Sequence, residues 1–234
     1  MPGRTGLLSM KRLLPVVLLL LAGCFSGDAA LRRGRDVYPD LSALRAANTE
    51  GLDYSRELYN RGSKVAVFAI HGGDIEAATA RVARRVAGKD FNLYIFNGWH
   101  GRDNGDLHVA AVNFDDPEAL GLAASSLLGI SIHAQADRGA WVCVGGSNAA
   151  AAGLVARRLE AAGFQAETPC ARLPGTSGKN IVNRPAAGGV QLELTLRLLS
   201  RLDRDAEELG KFSEAVRQAA LEFVSSGQTS IKGK

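Results

Sequence analysis

Four side chains in this sequence have the types and positions that metal-assisted hydrolysis needs. His71 ends an apolar, β-branched run (residues 64–70, KVAVFAI) and stands directly before Gly72-Gly73. A buried strand that stops at a glycine pair delivers its last side chain to the strand-end crevice, where open α/β sheets gather ligands. Glu76 follows five residues later, and the pattern predicts that it lies in the first turn of the next helix. His133 ends a second apolar run, GISIH. Two imidazoles and a carboxylate suit zinc, and a catalytic zinc site takes three protein ligands and leaves a position open. Taken singly, each residue fits a structural role equally well, since a carboxylate early in a helix also complements the helix dipole. The fourth is Glu193. Residues 190–195 (VQLELT) alternate with period two, so Gln191, Glu193 and Thr195 share the face opposite three apolar residues. A carboxylate there is placed to act as a base, although a solvated strand residue would show the same pattern.

These residues need a scaffold, and the rest of the chain predicts one. Strand-like runs at 64–70, 91–96, 107–114, 130–133, 140–144 and 190–196 are interleaved with helical patterns at 38–47, 75–87, 117–128, 149–162 and 205–224. Such alternation predicts a single α/β domain with an open, mostly parallel or mixed sheet and helices on both faces. Hydrophobic residues make up 46% of the 234 and charged residues 22%, an ordinary balance for a globular protein that excludes wholesale disorder. The net charge of +4 comes largely from the two ends, with no basic run interleaved with aromatics, so nucleic acid is not an expected partner.

The N-terminus carries an address. Lys11 and Arg12 precede an apolar run at 13–21, and Leu21-Ala22-Gly23 leads to Cys24. The run is short for a membrane span and ends in small residues, as a signal peptide does. The order resembles the bacterial lipoprotein signal, which implies cleavage before Cys24 and lipidation of its thiol. The expected organisation is a signal peptide at 1–23, a tether at 24–37 and a hydrolase domain at 38–234, with Met10 an alternative start. The expected location is the bacterial cell envelope, lipid-anchored to a membrane. Cys143 and Cys170 remain. In an oxidising compartment they can pair, and Cys143 can equally be a buried thiol within its strand.

Read in order, AIHGGDIEAATARVARRVAGKDFNLYIFNG, DLHVAAVNFDDPEAL, SIH, VGG, NIVNR and GGVQLEL resemble the poly-γ-glutamate hydrolase family of bacilli and their phages, from about residue 51 to 201. The resemblance implies a zinc-carboxypeptidase-like fold holding one Zn²⁺. It implies that His71 and Glu76 of the His-Gly-Gly-x-Ile-Glu motif and His133 of Ser-Ile-His are the ligands, and that Glu193 is the catalytic carboxylate. It places His108 in the cleft, donating to a substrate carbonyl or carboxylate. By analogy with zinc carboxypeptidases, Asn180, Asn183 and Arg184 grip a substrate carboxylate near the metal, with Arg184 the clamp. Two departures stand out: Ala134 replaces the glycine that usually follows the third ligand, and Asp74 replaces a common third glycine. The implied activity is hydrolysis of γ-glutamyl amide bonds, as in poly-γ-glutamate. The alternatives are an envelope peptidase acting on peptidoglycan stem peptides, and a non-catalytic lipoprotein that binds an acidic polymer.

Overall fold

A computed structural model of the chain describes Met1 and residues 36–100 and 105–229. The expected signal peptide, Cys24 and the tether up to residue 35 lie outside the described residues. Seven strands form one mixed sheet: β1 (Tyr54–Tyr59), β2 (Val65–Gly73), β3 (Asn92–Gly98), β4 (Leu128–Gln135), β5 (Trp141–Gly145), β6 (Gln165–Glu167) and β7 (Gly189–Thr195). Their order is β1-β3-β2-β4-β7-β5-β6. The pairs from β3 through β2 and β4 to β7 are parallel, as is β5 with β6, and β1 and β5 run antiparallel to β3 and β7. The helices are α1 (Leu41–Ala47), α2 (Thr79–Ala87), α3 (Pro117–Ala124), α4 (Ala149–Ala161), α5 (Leu196–Arg204) and α6 (Ala206–Thr229).

Strand alternation divides the core in two. Val67 and Ala69 of β2, Ile130 and Ile132 of β4, and Val190, Leu192 and Leu194 of β7 pack against α2, α4, α5 and α6. The intervening β2 residues Ala66, Phe68 and Ile70 face the other way, toward α1 and α3. On this second face β4 carries Ser131, His133 and Gln135, and β7 carries Gln191, Glu193 and Thr195, all of them buried. The polar stripe expected at 190–195 is therefore real, and it is covered rather than solvated.

Three expectations are corrected. Segment 107–114 is not a strand: its backbone groups are satisfied one at a time, with the Asn113 N–H donating to Ala110, the Ile181 N–H to Ala111 and the Leu41 N–H to Asn113. Apolar spacing there reflects burial of a loop, which alternation cannot distinguish from a strand. α2 starts at Thr79 rather than at residue 75, after Ala78 in the left-handed region (φ 71°), so Glu76 sits in the turn before the helix. Asp36, expected to belong to the tether, is bonded into the domain. Among the described residues β1, β6 and α5 are elements that hydrophobic spacing did not signal. The two remaining cysteines are joined, Cys143 on β5 to Cys170.

Candidate active site

Parallel β2, β4 and β7, the central strands, bring His71, His133 and Glu193 together toward their C-terminal ends. His133 and Glu193 are direct register partners on neighbouring strands, so they share a face by construction. His71 needs a device. Strict alternation after Ile70 would turn it toward α2 and α6, but β2 bulges between Ala69 and Gly72, where three residues oppose two of β3. One extra residue reverses the facing of all that follows. His71 accordingly meets His133, with ring centroids 4.9 Å apart. The bulge runs into Gly73 (φ 68°), whose missing Cβ would lie 2.4 Å from the Gly98 carbonyl oxygen. No other residue fits so tight an exit.

His71, Glu76 and His133 offer ligand atoms that all lie within 4.8 Å of one another. His71 Nδ1 is 2.9 Å from Glu76 Oε1 and 3.1 Å from His133 Nδ1. The opposite nitrogen, His71 Nε2, is 2.9 Å from the Val109 carbonyl oxygen, which can only accept. The ring proton therefore belongs on Nε2 and a neutral His71 turns the Nδ1 lone pair inward, the second-sphere arrangement that orients a ligand imidazole. Glu76 is steadied in the same way, its Oε2 accepting the Ala134 N–H at 2.8 Å. The converging atoms are acceptors, and a single proton can bridge one pair of them but not all three. A divalent cation satisfies the set, and two imidazoles with one carboxylate are a zinc-type donor set.

The electrostatics follow from burial and proximity. With protons rather than a cation in the set, burial alone would raise the Glu76 carboxyl, but the charge of a protonated His71 and hydrogen bonds from both imidazoles hold it far below the usual carboxylate range. Burial pushes His133 down, yet its hydrogen bond to Glu76 and the charges of Glu76 and Glu193 carry it above the ordinary histidine value. Glu193 is pushed up to about 7, chiefly by burial, with the charge of His133 opposing and that of Glu76 adding. His108 is drawn down to about 4 by the His71 charge and by burial, against the pull of Asp36.

Glu193 is also aimed. The Val182 N–H donates to Asn180 Oδ1, Asn180 Nδ2 donates to Gln191 Oε1 at 2.7 Å, and Gln191 Nε2 donates to Glu193 Oε1 at 2.8 Å. Because a backbone N–H starts this chain, the orientation of both amides is determined. Glu193 Oε1 is thus an acceptor, and Oε2 is left for proton transfer.

The remaining candidates divide. His108 is at the trio, its ring centroid 4.0 Å from that of His71. Asn180 reaches Glu193 only through Gln191. The Asn183 amide is committed to the loop before it, donating to Gly175 and Ser177 and accepting the Ser147 N–H. Arg184 makes no contact with the trio among the described residues. Its neighbours Val182 and Pro185 pack on Gly129, four residues before His133 on β4, or about 13 Å at the strand rise. Of the expected Asn-Arg pair, Asn180 braces Glu193 through Gln191, and Arg184 is exposed. Of the two departures, Ala134 leaves the site intact, because its side chain lies on the apolar face while its N–H serves Glu76. Spacing did not reveal Asp36, the Val109 carbonyl or the disulfide beside Glu193. Only the register, which pairs Cys143 with Glu193, makes that last neighbour visible.

Relatives of known structure share this frame. A bacteriophage poly-γ-glutamate hydrolase superposes with a TM-score of 0.77 at 30% identity, covering 81% of this chain and 99% of that one. The zinc-free apo form of YndL superposes with a TM-score of 0.72 at 28% identity, covering 79% and 97%. In sequence, YndL of Bacillus subtilis (strain 168), a UPF0714 protein, is 34% identical over 183 residues, which are 77% of this chain and 71% of the relative. Residues 38–222 match the poly-γ-glutamate hydrolase family, and the chain belongs to that family of hydrolases.

Proposed function

We propose that the protein is a zinc-dependent amide hydrolase that cleaves γ-glutamyl bonds of the kind found in poly-γ-glutamate. The observation that carries this reading is the convergence of His71 Nδ1, Glu76 Oε1 and His133 beside a register-paired Glu193, in a member of this family. His71, Glu76 and His133 would hold the ion. Bound there, zinc would supply Lewis acidity, polarising the scissile carbonyl and lowering the pKa of water.

The chain's own residues do the proton work. Glu193 Oε2 takes the proton of the attacking water and returns it to the leaving amine, so the same carboxyl serves first as base and then as acid. A carboxyl raised toward neutrality by burial suits both halves of that exchange. Gln191 keeps the carboxyl turned by holding Oε1. His108, tilted over the His71 ring and partly exposed, would border the substrate. Arg184 is exposed and makes no guanidinium hydrogen bond or ion pair among the described residues, which leaves it available to a substrate carboxylate.

The test is to incubate the zinc-loaded protein with poly-γ-glutamate and, separately, with peptidoglycan stem peptides, and to follow released amines by mass spectrometry. Products from the polymer alone support the reading, and products from the stem peptides alone replace its substrate. Export and lipidation at Cys24 are part of the proposal on the sequence alone. Metabolic labelling with a fatty acid should mark the intact chain and fail to mark Cys24→Ala.

A further inference from the structure

The segment 108–110 beside the site is held by a residue that precedes the family-matched part of the chain. Asp36 Oδ1 lies 2.7 Å from His108 Nδ1, and Asp36 Oδ2 accepts the Ala110 N–H at 2.7 Å. Between those two residues, Val109 gives its carbonyl to His71 Nε2. Three consecutive residues thus connect to the site or to Asp36, and one carboxylate clamps both ends of the triplet. The family match covers residues 38–222, and Asp36 stands just before it.

We propose that Asp36 is a positioning residue: it fixes the His108 ring against His71 and dictates which His108 nitrogen carries the proton. Ala110 N–H can only donate, and an ionised Asp36 can only accept, so the His108 proton toward Asp36 sits on Nδ1. In the neutral ring Nε2 is then a bare acceptor, and it has no partner among the described residues. The expectation that His108 donates to a carbonyl or carboxylate is replaced for that form: it accepts. A γ-linked glutamyl chain offers one amide N–H per repeat, which is the group such an acceptor would take. The same clamp steadies the Val109 carbonyl and through it His71. This inference rests on His71 being a metal ligand only for its catalytic consequence.

Asp36→Asn tests it sharply. Ala110 N–H obliges the new amide oxygen to remain on that side, so the amide nitrogen donates to His108 Nδ1 and the ring tautomer reverses. Long-range ¹H–¹⁵N spectra of the zinc-free full-length chain, taken above the titration range of the ring, should show Nδ1–H for His108 in the parent and Nε2–H in Asp36→Asn. On poly-γ-glutamate the zinc-loaded variant should show KM raised about fivefold, the size expected for one lost hydrogen bond, with zinc content unchanged. In a His108→Ala background, Asp36→Asn should add nothing to KM. An Nε2–H tautomer in the parent, or an unchanged tautomer in the variant, would overturn the proposal, as would an undiminished Asp36→Asn effect without His108. If the parent proves not to bind zinc or cleave the polymer, the proposed function fails while the tautomer measurement still decides the role of Asp36.

Discussion

β4 and β7 present two faces made of the same residues in alternation. On one, Ile130, Ile132, Leu192 and Leu194 are sealed under α2, α4, α5 and α6. On the other, Ser131, His133, Gln191 and Glu193 are equally covered but polar. Burial alone does not tell these faces apart; satisfaction does. The apolar face gains from every contact, roughly 1.5–3 kcal/mol for each large side chain buried. The polar face is costly unless each group finds a partner. Gln191 and Glu193 find one another, yet Ser131 Oγ and His133 Nε2 are buried without a partner among the described residues. One face holds the fold together, and the other spends part of that stability to assemble a site.

Substitutions should separate the two faces, beginning with the largest effect. Glu193→Gln removes the base without changing its size, and kcat should fall by about 10²–10⁴ while one zinc per chain is retained. Near-normal turnover in that variant would give the base role to another group. His133→Ala should abolish stoichiometric zinc, read by metal analysis after gentle purification, because two ligands do not hold a catalytic zinc site. On the apolar face, Leu192→Ala should cost about 2–5 kcal/mol in denaturant unfolding and leave zinc stoichiometry at one. A loss of zinc without loss of stability there would contradict the division.

Subtler effects sharpen the same contrast. In zinc-free protein the Glu193 carboxyl should titrate near 7, well above an ordinary glutamate, by ¹³C NMR. Since burial disfavours its charged form and a nearby cation favours it, added zinc should move that titration to lower pH. An upward movement would place the ion elsewhere. Replacing Cys143 and Cys170 together with serine should weaken turnover several-fold or less. The bond ties β5, next to Glu193, to the loop whose Gly175 carbonyl receives Asn180 and Asn183.

Much of this was legible in the sequence because strand ends and alternation are local signals. His71 and His133 each close an apolar run, and Glu193 sits on the polar phase of an alternating one. The devices that make them a site are not local. The bulge that turns His71 inward is one extra residue counted against β3, and register is a property of two strands. Asp36 meets His108 across 72 residues, through a loop that read as a strand. The brace on Glu193 is equally non-local, since Asn180 reaches it only through Gln191, eleven residues on.

If the His71, Glu76 and His133 trio holds a zinc ion that, with Glu193, cuts γ-glutamyl bonds, activity must follow the metal. The most direct test strips the purified protein with a chelator and restores zinc stepwise while following the chain length of poly-γ-glutamate. Cleavage should be absent without metal and rise to a plateau at one zinc per chain. Full cleavage by the stripped protein, or none at any zinc level, would contradict it.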